Sequence, residues 1–351
     1  MHQPVAGRNP GLDLIRGLAA AGIAAYHYLA WNHSITLHSV GTFGVYVFFV
    51  LSAVTMMIRY ENDFRGAIRA ETLVAFYRNR VARLVPLLAL VSVLSAYWAM
   101  THGDSFTNQA ARTLLTATGA MGLHLPGFLS NATGAWSLGI EAVFYVAFPI
   151  VALLVAQANA RQVALSLVVL VAFQQAALFA ISDLPDAQFW HYYITPVTFA
   201  PFFALGILIF KAPIKQRDAN IWLSLAALAV LAGYTQAFPV VLWRSPIHYL
   251  IMTAVAAAAV AFAYRGAVPS YMARVATFLG DISYALYLTH WFAHRIASSL
   301  VYDYGAPAFL MPVIFLIVAP LLAWLCFRFF ERPARDFLRS KLSRGQILPA
   351  R

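Results

Sequence analysis

Leu12-Asp13-Leu14-Ile15-Arg16-Gly17, continuing through Tyr26-His27-Tyr28 to Trp31, is an apolar stretch of bilayer-spanning length that carries both a cation and an imidazole. Arg16 and His27 are eleven residues apart, close to three α-helical turns. Their side chains therefore face nearly the same way, about 16 Å apart along the axis. Polar groups of this kind inside a membrane span are costly, avoid lipid and mark pathways for ions, protons or substrates. The stretch reads as the first helix of a membrane protein with a polar interior.

Composition extends that reading to the whole chain. Of 351 residues, 62% are hydrophobic and 11% charged, against roughly 25% charged in a soluble domain, and mean hydropathy is +0.71. Ten apolar runs of about spanning length lie at 12–31, 41–58, 84–101, 136–156, 162–181, 189–210, 219–237, 247–264, 276–300 and 308–329. Pro196 and Pro201 interrupt the sixth, as is tolerated where backbone faces protein or a cavity. With a cytoplasmic N-terminus, 21 of the 24 Lys and Arg residues fall on the cytoplasmic side, and Arg112, Arg244 and Arg295 on the other. This bias sets orientation and puts both termini in the cytoplasm. The expected fold is thus all-α and polytopic, with about ten transmembrane helices. The net charge of +11 is a topology signal spread over the inner loops, not a nucleic-acid footprint.

One integral membrane domain is expected over 1–335, followed by a short basic tail, 336–351. Cys326 is the single cysteine, so no internal disulfide forms, and no metal-ligand spacing is present. A cleaved leader is not expected, because it would discard Arg16 and His27. Residues 60–83 have the pattern of a helix lying on the inner membrane surface. The outer loop 102–135 is long enough to cover an acceptor site, and Asn131-Ala132-Thr133 fits a weak glycosylation sequon.

Helical rise places the polar groups in depth. His27 lies about 22 Å above the inner edge, His290 about 21 Å, and Glu141 about 9 Å below the outer edge. Ser137, Glu141 and Tyr145 share one helix face, as do Ser283, Tyr287, His290 and His294. Three helices are therefore expected to converge on one polar pocket, where His27 could serve as general base and Glu141 could orient it. Blander readings stand beside this one: a helix–helix hydrogen bond for His27, an arginine partner for Glu141, a local pair for Asp13 and Arg16. Arg80 and Arg83 match phosphate geometry, but charge alone favours a positive-inside anchor or a lipid-headgroup contact.

Six pieces in order carry a family resemblance: Leu12 to Gly17 with His27; Gly44-Val45-Tyr46-Val47-Phe48-Phe49-Val50-Leu51-Ser52; Arg80-Val81-Ala82-Arg83 with Pro86; Trp136 to Glu141 with Phe144-Tyr145; Ile282 to Trp291; and Glu331-Arg332-Pro333. The chain resembles the acyltransferase 3 family of integral membrane acyltransferases, which includes bacterial polysaccharide O-acetyltransferases. The resemblance implies transfer of an acyl group, usually acetyl, from cytoplasmic acyl-coenzyme A to a sugar hydroxyl on a surface glycan or lipid-linked precursor. The donor is a substrate, and no metal is called for. It implies His27 as the essential histidine, Arg16 as its partner near the donor, Glu141 in the active site, and Arg80 and Arg83 on the donor's phosphates. Ser137, Tyr145, Tyr287 and His290 are candidates for acceptor or oxyanion contacts. Membrane lipid and proteins of polysaccharide synthesis are the implied partners, and the inner (plasma) membrane the implied location. Two departures stand out: Ala53 replaces a usual Gly, and Ala142 follows Glu141 where a second acid is usual. A proton-coupled secondary transporter is the rival reading of intramembrane His and Glu.

Overall fold

The computed structural model describes residues 8–32, 38–213, 215–237 and 245–344. They form fourteen α-helices: α1 Pro10–Trp31, α2 His38–Phe64, α3 Ala70–Thr101, α4 Phe106–Thr118, α5 Pro126–Leu129, α6 Ala135–Gln157, α7 Ala160–Ile181, α8 Asp186–Tyr193, α9 Pro196–Lys211, α10 Ala219–Ala237, α11 Pro246–Arg265, α12 Ser270–Tyr302, α13 Met311–Cys326 and α14 Arg332–Arg344. Among the described residues no strand forms.

A helix underlies each of the ten expected spans. By length and apolarity six qualify: Phe43–Phe64, Ala70–Thr101, Ala135–Gln157, Ala160–Ile181, Pro246–Arg265 and Ala308–Ser340. A seventh is formed if α8 and α9 count as one span bent by 49°. The bend falls at Thr195-Pro196, where the proline lacks an N–H and disfavours helix in the residue before it. Three of the expected spans, α1, α10 and α12, fall outside this set; α10 is apolar but counts as a shorter helix over Ala219–Tyr234, whereas α1 and α12 are interrupted by polar residues. Asp13, Arg16 and His27 in α1, and Arg274, Asp281, His290, His294 and Arg295 in α12, lower their mean hydropathy. Such polar groups need protein neighbours instead of lipid. A separate surface helix over 60–83 does not form. α2 continues to Phe64, and α3 runs unbroken from Ala70 through Arg80 and Pro86 to Thr101.

The chain divides into two compact units. The first comprises Met1–Thr55, Ala160–Ser182 and Ala200–Tyr287. Lipid removes the hydrophobic drive for helices to associate, so close packing through small residues replaces it. Asn9 caps α1 by accepting from the Leu12 N–H at 3.1 Å and donates to the Tyr264 carbonyl of α11 at 2.9 Å. Gly11 lies so near α11 that a Cβ there would stand 2.2 Å from the Ala263 oxygen. Gly17 meets Leu279 of α12, and Gly280 meets Asp13 of α1, just as closely. Ser224 of α10 donates to the Ala259 carbonyl of α11 at 2.6 Å. Tyr46 of α2 stacks on Phe202 of α9 at 4.3 Å.

The second unit comprises Met56–Asn159, Asp183–Phe199 and Leu288–Arg351. Its core is an aromatic nest from the ends of α2, α3 and α6: Tyr60, Phe64, Phe76 and Phe148, each no more than 4% exposed. Phe76 stacks on Phe148 at 5.3 Å and meets Tyr60 edge-on at 5.0 Å. Residues 336–344 of the expected basic tail continue α14, which packs against α3.

The loop 102–135 is folded, with α4 lying on α3 and the 3₁₀ turn Ala120–Leu123 lying on α6. Asn131 is its fastener. The side-chain amide donates to the Ser92 carbonyl, Gln109 Oε1 and Thr113 Oγ1 at 3.2, 3.2 and 2.9 Å, and its oxygen accepts from Ser92 Oγ at 2.5 Å. Gln109 in turn donates to Asp104 at 2.6 Å. The amide is thus committed to holding the loop, which argues against the sequon as a glycan site. Asn131→Ala strips these bonds from buried partners. At about 1 kcal/mol per net bond plus unsatisfied groups, it is expected to cost about 2–4 kcal/mol, read as an earlier unfolding transition in detergent.

Candidate active site

The polar groups of the second unit gather around Arg80. Helix α3 carries Arg80 to the edge of the aromatic nest, where its guanidinium lies over the rings of Tyr60 at 5.2 Å and Tyr145 at 5.3 Å. It also donates to the Tyr60 hydroxyl at 3.1 Å. Ring faces attract a guanidinium, more so when both are desolvated. Tyr145 then donates its hydroxyl proton to Glu141 Oε1 at 2.6 Å, one turn back on α6. Cation, phenol and carboxylate form one chain, Arg80 to Tyr145 to Glu141, and Arg83 also acts electrostatically on Tyr145. Beside it lies a cavity of about 140 Å³, bordered by Tyr77, Arg80, Gly119, Ala142 and Tyr145. The fourth-span face expected from spacing is therefore a real chain for Glu141 and Tyr145. Ser137 on the same helix instead donates to the Gly134 carbonyl at 3.0 Å. With its proton given to Glu141, Tyr145 in this state is a carboxylate partner instead of an oxyanion donor.

In the first unit, Arg16 is held by Asp13 at 3.1 Å. Asp13, only 5% exposed, also takes a charged bond from Arg8. Arg8 reaches on to Asp281 and the Thr277 carbonyl of α12, both at 2.9 Å. The local Asp13–Arg16 pair is thus present, within a larger ion cluster that joins α1 to α12. His27, half-buried near the far end of α1, stacks on Trp31 at 5.2 Å and 20°. A ring N–H bonds the Ile23 carbonyl one turn back. Tyr287 meets Phe48 edge-on at 5.5 Å. His290, in the second unit, is fully buried, and Ser283 donates to the Gly280 carbonyl at 2.8 Å. Among the described residues no group of three or more His, Cys, Asp or Glu could hold a metal.

Two participants escaped the sequence reading. Tyr60 lies in Arg59-Tyr60-Glu61, which has no motif, and only tertiary packing brings it to Arg80. Arg8, read as a topology charge, ties Asp13 to α12. Neither Arg112 nor Arg295 is seen to pair with Glu141: Arg112 donates to the Ser130 carbonyl at 2.7 Å, and Arg295 lies over Trp98 at 5.2 Å.

The acyltransferase domain pattern of the acyltransferase 3 family matches residues 9–329. The chain belongs to the acyltransferase 3 family. It is 25% identical over 363 residues to the "Putative peptidoglycan O-acetyltransferase YrhL" of Bacillus subtilis (strain 168), covering 93% of this chain and 55% of that one. It is 27% identical over 351 residues to the "Putative membrane-bound transacylase BcsY" of Komagataeibacter xylinus, covering 94% of this chain and 84% of that one. The chain thus spans about half the length of the first relative. No solved structure matches it.

The two departures from the acyltransferase 3 pattern have local explanations. Ala53 is fully buried, and its Cβ would lie 2.6 Å from a Cβ on Gly206 of α9. The small residue needed at this crossing is supplied by α9. Ala142 packs beneath Gly119, where a Cβ would stand 2.9 Å away. Gly119 ends α4 with φ +72°, the left-handed cap that favours glycine. A carboxylate at 142 would have to enter the cavity beside Arg80.

Proposed function

We propose that this protein is a plasma-membrane O-acyltransferase. It moves an acyl group, acetyl by default, from cytoplasmic acyl-coenzyme A to a hydroxyl of a cell-surface glycan or lipid-linked sugar. The observation that carries the reading is the family match over residues 9–329, with one relative named for peptidoglycan O-acetylation. In this reading His27 accepts the proton of the acceptor hydroxyl as its oxygen attacks the thioester carbonyl. The C–S bond breaks, and the departing thiolate takes the proton from the imidazolium, so the ester and free thiol leave with no net change in the protein. Arg80 and Arg83 supply positive charge for the donor's phosphates, where a guanidinium fork suits the anion. Glu141 holds Tyr145 against Arg80 and so keeps that guanidinium in place. Arg16, anchored by Asp13, supplies a further cation for the donor.

The bent α8–α9 pair also suits a transporter, whose substrate sites use broken helices. One assay separates the two. Membranes containing the protein, with no ion gradient, receive acetyl-coenzyme A labelled in the acetyl group. Label is expected in a saccharide or glycolipid fraction. Label that stays on coenzyme A, in membranes that contain the native acceptor, overturns the enzyme reading.

A further inference from the structure

The last helix brings arginines to the same place as Arg80, and nothing in the reading above uses them. α14 packs on α3 within the second unit. Arg335 is 19% exposed at its side chain, and Arg339 is half-buried. Arg339 lies within electrostatic reach of Arg335, Arg80 and Tyr60. The Nε atoms of Arg78, Arg80, Arg335 and Arg339 are all buried with no hydrogen-bond acceptor among the described residues. The carboxylates near Arg335 are Glu331 at 3.8 Å and Asp336 at 3.7 Å, both beyond hydrogen-bond distance. Asp336 is shared with Arg332 at 4.0 Å. The guanidiniums of Arg80, Arg335 and Arg339 thus outnumber the two carboxylates near Arg335.

Such an arrangement is unfavourable by itself. Like charges repel, and a buried N–H without an acceptor carries a desolvation cost of about 1–3 kcal/mol. A simple positive-inside anchor would present its guanidiniums to water and headgroups, with Nε solvated. Buried, clustered and unsatisfied Nε–H groups instead call for an anion with several oxygens, and phosphate fits guanidinium forks best. The chain builds the cluster with some care. A π-helical turn, Phe327–Glu331, joins α13 to α14, and Pro333 stands in the first turn of α14, where its missing N–H is tolerated.

We propose that α14 is part of the donor site: Arg335 and Arg339, together with Arg80, bind phosphate groups of the nucleotide end of acyl-coenzyme A. This rests on the acyl-coenzyme A reading above and adds the C-terminal helix to it. A phosphate of an anionic lipid headgroup has the same chemistry, so the test separates the two sources.

The experiment measures equilibrium binding of coenzyme A, and of pantetheine, which lacks the nucleotide and every phosphate. The full-length protein is held in nanodiscs of phosphatidylcholine and, separately, of phosphatidylcholine with phosphatidylglycerol. Arg335→Ala and Arg339→Ala are each expected to weaken coenzyme A binding about tenfold or more, as for loss of a hydrogen bond to a charged group. Pantetheine binding should stay unchanged. Arg332→Ala, at a side chain 57% exposed on the same helix, should bind both as wild type does. The ratio of the two affinities is independent of the fraction of variant that folds. Wild-type affinity for coenzyme A in both variants overturns the proposal, and if their melting temperature then loses its dependence on phosphatidylglycerol, the site belongs to lipid. Failure of the wild type itself to bind coenzyme A overturns the donor reading and this proposal together.

Discussion

His27→Ala is expected to lower acyl transfer by about 10²–10⁴-fold, the usual contribution of a positioned general base, with the amount of folded protein little changed. His27 is half-buried, and its bonded contact is to the Ile23 carbonyl of its own helix. Ile23 keeps its helical carbonyl bond whether or not the imidazole is present. Removing the ring costs the stacking with Trp31 and the tilted contact with the Tyr26 ring at 4.8 Å, both within its own helix. Label transfer from acetyl-coenzyme A, beside the melting temperature of the purified variant, checks both halves. A His27→Ala protein that melts within a few degrees of wild type and retains more than about a tenth of its transfer would sink the assignment. A variant that transfers nothing and also fails to fold would call for His27→Gln, which keeps a polar side chain of similar size without the base.

The second large effect is on stability. Gly122→Ala is expected to destabilise the second unit by about 3 kcal/mol, the upper end of the range for overpacking a fixed site. Gly122 in the 3₁₀ turn and Gly139 on α6 face one another, and a Cβ on Gly122 would stand 1.9 Å from the Gly139 carbonyl oxygen. Backbone cannot swing aside as a flexible side chain can, so either α6 or the turn must move. Gly139 also lies two residues before Glu141, so the shift is expected to loosen the Tyr145–Glu141 bond and lower activity with stability. Gly233→Ala is the control. Nothing lies within 4 Å of a Cβ there, and in the C-terminal part of α10 the change should stabilise by up to about 0.5–1 kcal/mol through helix propensity. Thermal unfolding of the two variants in the same detergent gives the comparison; equal melting temperatures would remove the backbone-contact argument.

The helices were legible because their signal is local. Apolar runs of spanning length, broken by Pro196 and by loop residues, located a helix at each expected position without any knowledge of neighbours. Spacing along one helix was equally readable: Glu141 and Tyr145, four apart, do bond, and so do Asp13 and Arg16, three apart. Sequence reading was weaker where the helix continued past the expected edge. Residues 60–83 carry apolar and basic residues in a pattern that suits a surface helix, yet α2 takes the first of them and α3 carries the rest on through Pro86 to Thr101 as one helix.

What the sequence by itself determined is the membrane class, the all-α fold and the one-helix polar faces, since each follows from composition or from a repeat of 3.6 residues, and the family, through the resemblance carried by six motifs in order. Only the tertiary structure decided which groups meet across helices. Tyr60 joins Arg80, Arg339 comes up beside them from about 260 residues away in the chain, Asn131 fastens α4 to α3, and Gly122 finds Gly139. In each case the energy comes from close approach in three dimensions, as hydrogen bonds, ring contacts and backbone packing. No pattern along the chain records such a contact, because its partners share neither helix nor period.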